Sequence, residues 1–371
     1  MNNTKTSNIP TLTVDRAVST LSGIYGAAVK AGISPKFLPS VMLWGPPGVG
    51  KSQLVRQVAE VLRRESGKQC RVTDVRLLLF NPIDLRGIPT ANKEKTLSVW
   101  LKPAIFQMDE GADVINILFL DEISAAPQSV QAAAYQLTLD RVVGEHRLPD
   151  NCIVIAAGNR VTDKSVAYKM PKALANRLCH LEITGNRDSW MKWAVEKGIH
   201  AKVMGFLSFR SDYLMCFDAA NEDLAFATPR SWEMVSNILH MTGGDVNAAF
   251  DMIAGCVGLG IATELRTWCK IYSSLPRVED IFAGRGGCVP KDTDAMYALI
   301  ASMTAYAREH KDNVTAIANS ISYAMQMPPD FSAVLMKNYM AIAPGYKERL
   351  MKIPEFYRWV STKGKMLNGT V

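Results

Sequence analysis

The chain has 371 residues, 48% of them hydrophobic and 21% charged, with a formal net charge of +7; that is enough apolar material for two or three packed domains. No apolar stretch reaches membrane-spanning length, and Met1-Asn2-Asn3-Thr4-Lys5-Thr6-Ser7 has no hydrophobic signal core, so a cytoplasmic chain without a membrane partner is expected. Seven scattered cysteines without CxxC spacing and five dispersed histidines exclude a disulfide or zinc scaffold. The positive charge is diffuse and densest at Lys347, Arg349, Lys352, Arg358, Lys363 and Lys365, which reads as a solvated helical face rather than a nucleic-acid surface.

In chain order, residues 14–31 keep helical periodicity through Val14, Ala17, Val18, Leu21, Ile24 and Tyr25. The apolar run Val41 to Trp44 predicts a buried strand, and Leu54, Val58 and Leu62 predict a following helix. Between them lies Gly45-Pro46-Pro47-Gly48-Val49-Gly50-Lys51-Ser52, followed by Gln53. This is the strand–loop–helix setting of a phosphate-binding loop, in which glycines let backbone N–H groups curl around phosphate oxygens and the helix N-terminus adds positive partial charge. Lys51 is expected to reach the β- and γ-phosphates of ATP, and the Ser52 hydroxyl to ligate Mg²⁺.

Cys70 to Arg76 alternates like a second strand, and 88–100 reads as an inserted β-hairpin with Leu97 and Val99 on one face. The run Val114 to Leu120 ends in Asp121-Glu122, the pattern of a buried central strand of a parallel sheet with acidic residues at its carboxyl end. There Asp121 suits a second-sphere carboxylate for Mg²⁺, and Glu122 suits the group that orients and deprotonates water. A helix over 129–139, a second hairpin at 141–148 and a buried strand from Cys152 to Ala157 follow, ending in Gly158-Asn159-Arg160. A helix and a short strand, Cys179 to Ile183, are expected to close the sheet. Beyond about 186 only helical patterns remain, one of them started sharply by Thr228-Pro229-Arg230.

The order of these parts resembles the AAA+ ATPases and, within them, the MoxR family of the helix-2-insert clade, whose marks are the two hairpins. The resemblance covers about 35–275. It implies an α/β P-loop NTPase (AAA+) parallel sheet with inserted β-hairpins over residues 1–185, an α-helical lid over 186–275, and a C-terminal helical extension over 276–371. It also implies that Asn159 is the sensor-1 residue at the γ-phosphate, that Arg177 in Leu174-Ala175-Asn176-Arg177 is an arginine finger aimed at a neighbouring subunit, and that Arg230 is the sensor-2 arginine on the bound phosphates. Arg141 and Arg160 are further interface cations that the resemblance leaves unassigned.

An arginine finger from another chain requires assembly, and a head-to-tail contact closes into a ring; the resemblance implies a hexamer. The expected activity is ATP hydrolysis that remodels a protein client, together with a von Willebrand A domain protein. A nucleic-acid motor is the alternative, and a non-hydrolysing scaffold ranks last because Glu122 and Asn159 are both present. For Tyr357 and Trp359, helical packing is expected over a docking face.

Overall fold

The computed structural model describes residues 8–160, 168, 170–218, 221, 223–270 and 275–363. The chain divides into two compact units, residues 1–185 with 218–222 and residues 186–217 with 223–371.

The first unit is a parallel six-stranded sheet covered on both faces. Its strands are β1 (Thr11–Thr13), β2 (Val41–Trp44), β3 (Gln69–Arg76), β6 (Val114–Asp121), β9 (Cys152–Gly158) and β10 (Cys179–Thr184), in the order β1-β10-β2-β9-β6-β3. Parallel strands need crossovers that cover both faces, so the central strands become apolar on both sides. On one face α1 (Val14–Lys30) and α2 (Lys51–Ser66) pack Leu21, Tyr25, Leu54, Val58 and Leu62 against Leu43, Ile117, Phe119, Ile155 and Ile183. On the other face, α3 (Pro82–Arg86) and α4 (Gln128–Asp140) contribute Leu85, Val130 and Leu137, packed with Met42, Leu118, Leu120, Val154 and Ala156. Each fully buried aliphatic side chain contributes roughly 1.5–3 kcal/mol. Asn116, a buried polar residue of β6, is satisfied by the Asp109 carbonyl at 2.7 Å and the Asn151 side chain at 2.9 Å, as a buried amide must be.

Both expected hairpins form: β4 (Ile88–Ala91) with β5 (Ser98–Leu101), and β7 (Val142–Val143) with β8 (His146–Arg147). Leu97 lies just outside the strand, 67% exposed. The strand expected to close the sheet does not. β10 is flanked by β1, which pairs in parallel through Thr11, Leu12 and Thr13. Three residues are too few to show an alternation, so this edge had no legible pattern. The short helix α5 (Lys172–Ala175) precedes β10, and part of the stretch before it lies outside the described residues.

The second unit is helical: α6 (Arg187–Lys197), α7 (Ala201–Phe209), α8 (Pro229–Met241), α9 (Phe250–Val257), α10 (Leu259–Cys269), α11 (Val278–Phe282), α12 (Thr293–Glu309), α13 (Val314–Ala324), α14 (Pro329–Met340), α15 (Tyr346–Leu350) and α16 (Pro354–Lys363). One hydrophobic core runs through it, from Trp190, Phe206, Trp232 and Trp268 to Met303, Tyr339 and Trp359. This core includes Leu265 and Trp268 ahead of the boundary expected at 276 and Ile281 and Phe282 after it. Of the two C-terminal aromatics, Trp359 is fully buried and Tyr357 is 68% exposed. Within the basic stretch, the Lys363 ammonium donates to the carbonyls of Met325 and Met327 at 2.6 and 2.7 Å, closing the end of α13, and Arg349 pairs with Asp312 at 2.8 Å. Lys365 lies outside the described residues. All seven cysteines are free.

His200 caps α7, its Nδ1 accepting the Lys202 amide N–H at 3.2 Å. Burial, then the nearby His240 and Lys202, push its pKa down to about 4. The unfolded chain takes up a proton near 6.5 that the folded chain refuses, so stability is complete above pH 6.5 and falls as pH drops from 6.5 to 4. The loss is on the order of 2 kcal/mol. Denaturant midpoints at pH 7 and pH 5 should show it. His200→Asn, which keeps a capping acceptor and does not titrate, should flatten that difference.

Candidate functional site

Three neighbouring strands, β2, β9 and β6, end side by side, with Trp44 opposite Gly158 and Leu120 opposite Ala156. Their carboxyl ends deliver, in order, the glycine loop, Asn159 and the Asp121-Glu122 pair. In open α/β sheets this is the edge at which ligands bind.

The loop, Gly45, Pro46, Pro47, Gly48, Val49, Gly50, leads into α2, which begins at Lys51. Val49, 3% exposed, sinks its side chain into the core and anchors the loop. A side chain at Gly45 would place its Cβ 2.6 Å from the Ile183 carbonyl oxygen, so the chain here needs glycine for close passage along β10. Gly48 and Gly50 both have positive φ, 75° and 105°. Ser52 and Gln53 follow in the first turn of α2, both half-buried.

Lys51 is 9% exposed, and its ammonium donates to the Gly45 carbonyl at 2.6 Å, the Pro46 carbonyl at 3.1 Å and Asn159 Oδ1 at 2.8 Å. Ser52 Oγ donates to Asp121 Oδ2 at 2.9 Å, and Asp121 Oδ1 accepts the Glu122 amide at 2.9 Å. The structure thus brings Lys51, Ser52, Asp121, Glu122 and Asn159 together. Their chemistry fits a triphosphate with a hard cation: an ammonium whose carbonyl and amide oxygen partners an anionic oxygen can replace, and a hydroxyl beside a carboxylate of the type that hard cations select.

Arg177 lies two residues beyond α5 and two before β10; it is exposed, and among the described residues its guanidinium has no hydrogen-bond or ion-pair partner. Arg230 belongs to the second unit, exposed in the first turn of α8. That helix starts through a reciprocal box in which Ser231 Oγ accepts the Thr228 amide and Thr228 Oγ1 accepts the Ser231 amide, at 2.7 and 3.2 Å. Arg160 forms an ion pair with Glu182 of β10, and Arg141 donates to the Cys152 carbonyl at the base of β9.

One site residue was not singled out from the sequence. Ser124 Oγ accepts the Asn159 amide at 3.0 Å and packs so closely on Gly158 that a Cβ there would lie 2.6 Å away. The only signal was position, two residues after Glu122. Glu122 itself has φ of 57°, a left-handed backbone that side chains rarely adopt.

With this geometry, the first unit is a P-loop nucleoside-triphosphatase fold. Residues 40–180 match the family described as ATPase family associated with various cellular activities (AAA). That stretch belongs to the AAA+ ATPases. A curated relative, the ATPase family gene 2 protein homolog B of Rattus norvegicus, is 31% identical over 141 residues, covering 35% of this chain and 16% of its own length. The match therefore spans about a sixth of that protein. Among solved structures, a RuvB K64R mutant of Thermotoga maritima is 16% identical, covers 80% of this chain and 86% of its own, and has a TM-score of 0.34. A putative ATPase of Cytophaga hutchinsonii is 15% identical over 92% of this chain and 97% of its own, with a TM-score of 0.31. Likenesses of that size leave the site to be argued from its own residues. No helix among the described residues is long and apolar enough to cross a membrane.

Two outcomes follow. Ser124→Ala leaves the Asn159 amide without its partner; the fold should lose about 1 kcal/mol, read by chemical denaturation. Glu122→Gly relieves the left-handed strain and should be more stable than Glu122→Ala by about 1 kcal/mol in the same assay.

Proposed function

We propose that the chain is a MoxR-like AAA+ ATPase that hydrolyses ATP within a ring and uses the cycle to remodel a protein partner. The observation that carries this reading is the convergence of Lys51, Ser52, Asp121, Glu122 and Asn159 at the ends of three adjacent strands.

In this reading the loop amides of residues 45–50 and the N-terminus of α2 hold the phosphates, with Gln53 in the same turn. Lys51 exchanges its carbonyl partners for phosphate oxygens, gaining charge-assisted bonds. Ser52 and its hydrogen-bond partner Asp121 would hold Mg²⁺, which would supply charge neutralisation on the phosphates. Glu122 takes the proton of the attacking water, and Asn159, its amide fixed by Ser124, orients that water against the γ-phosphate. Arg177 reaches the site of the next subunit, and Arg230 contacts the phosphates from the helical lid. Loss of the γ-phosphate removes the group that joins these parts, so lid and neighbour shift. That Arg177 is exposed and has no partner among the described residues supports action outside its own chain. The MoxR resemblance adds a hexamer and a von Willebrand A domain protein as partner.

Glu122→Gln should lower ATP turnover about a hundredfold or more while nucleotide still binds. Arg177→Ala should lose about a thousandfold, with binding kept. Equal turnover by wild type and Glu122→Gln removes Glu122 from the mechanism. The Glu122→Gln protein is also the trap in which to look for the client. Turnover stimulated by DNA, with a steep dependence on salt, would reassign the client to nucleic acid.

A further inference from the structure

We propose that His180, in the strand beside the phosphate-loop strand, is a positioning residue for Arg177, held as the neutral Nε2–H tautomer between the Trp44 indole and the Ala175 carbonyl. The proposal rests on the reading of Arg177 as a finger that acts on a neighbouring site.

The Trp44 indole N–H donates to His180 Nδ1 at 2.9 Å, and His180 Nε2 lies 2.7 Å from the Ala175 carbonyl oxygen. An indole nitrogen only donates and a carbonyl only accepts. The imidazole is therefore forced into one form: a lone pair on Nδ1 and a proton on Nε2. The two rings also stack, with centroids 6.1 Å apart and planes 19° from parallel. Each member of the chain belongs to a different functional segment. Trp44 is the last residue of β2, immediately ahead of Gly45. Ala175 ends α5, two residues before Arg177.

A four-residue helix has little stability of its own. The segment bearing Arg177 is held on its far side by the β10 ladder, where the Cys179 amide donates to the Ser40 carbonyl at 2.9 Å. On its near side the bond to His180 is a second restraint, anchored on the strand that forms the site. Glu182, two residues along β10 and so on the same face, holds Arg160 directly after Asn159. β10 contributes no reacting group, yet His180 and Glu182 reach the phosphate-loop strand, the sensor turn and the finger segment. Movement of the glycine loop can pass to Arg177 through Trp44 and His180.

The test uses the full-length chain with three substitutions. His180→Gln keeps a donor near the Nε2 position, His180→Asn keeps only an acceptor near Nδ1, and His180→Phe keeps the ring alone. His180→Phe and His180→Asn should lower kcat about tenfold or more with ATP affinity little changed, and His180→Gln should recover most of it. Mixed assemblies with Glu122→Gln separate positioning from damage. A His180→Phe subunit has an intact site and a misplaced finger, so an intact finger from a Glu122→Gln neighbour should restore its turnover. Wild-type kcat in His180→Phe, or failure of the mixture to rescue, overturns the proposal. In ¹⁵N-histidine spectra, the resonances lost in His180→Phe should report a bare Nδ1 and a protonated Nε2; the opposite tautomer also overturns it. A wild-type chain that hydrolyses no ATP would overturn the function proposed above, and the imidazole spectrum would still decide the relay.

Discussion

A lysine ammonium that is nine-tenths buried has to be surrounded by oxygen, and the first unit is organised around meeting that demand for Lys51. Leaving such a charge unpaired costs several kcal/mol. Among its partners are two carbonyls of the loop that precedes it and Asn159, more than a hundred residues later. The bond to Asn159 can form only if β2 and β9 are adjacent and in register, and they are, Trp44 lying opposite Gly158. Local loop geometry and global strand order thus enforce each other. The Gly45, Pro46 and Asn159 oxygens are neutral, so a phosphate oxygen can displace any of them with a gain in electrostatic energy.

The parts of this arrangement that were legible in the sequence are those with a strong local signature. The glycine loop, the apolar run into Asp121-Glu122 and the run into Asn159 each show a strand of characteristic length followed by chemistry at its carboxyl end. The hairpins were legible because Val142 and Val143 flank a glycine turn with His146 and Arg147, and because Thr96, Leu97, Ser98 and Val99 alternate ahead of Trp100. Other features were not legible for physical reasons. β1 is three residues long and leaves no period. The single core of the second unit joins helices on both sides of Leu275-Pro276, and covalent punctuation carries no information about which side chains pack together. Trp359 and Tyr357, two residues apart on α16, project at different angles around a helix, and burial separated them.

Ser124 and His180 show a further limit. Neither reacts, and each acts by holding something else: an amide in one case, an indole and a carbonyl in the other. Such residues have no composition signal, because a serine after a strand or a histidine within one is commonplace. They become visible only when the partners are placed. In the hydrolysis proposed above, where water and phosphate are held in line, these holding contacts set how far the reacting groups can wander.

With Glu122 as the base proposed above, its backbone ties stability to chemistry. In a regular strand, Asp121 and its successor would point to opposite faces. Asp121 is committed to Ser52 Oγ and, through its other oxygen, to the Glu122 amide. Ending β6 at Asp121 and turning the chain left-handed at Glu122 releases the second carboxylate from that alternation. The turn is fixed on its far side, where the Ile123 amide donates to the Ala157 carbonyl at 3.0 Å and the Ala125 amide returns to the Glu122 carbonyl at 3.0 Å. Glycine would adopt this backbone without strain but supplies no carboxylate. A strained glutamate where glycine would be easier is what is expected when the requirement at a position is chemical and the surrounding hydrogen bonds are sufficient to impose it.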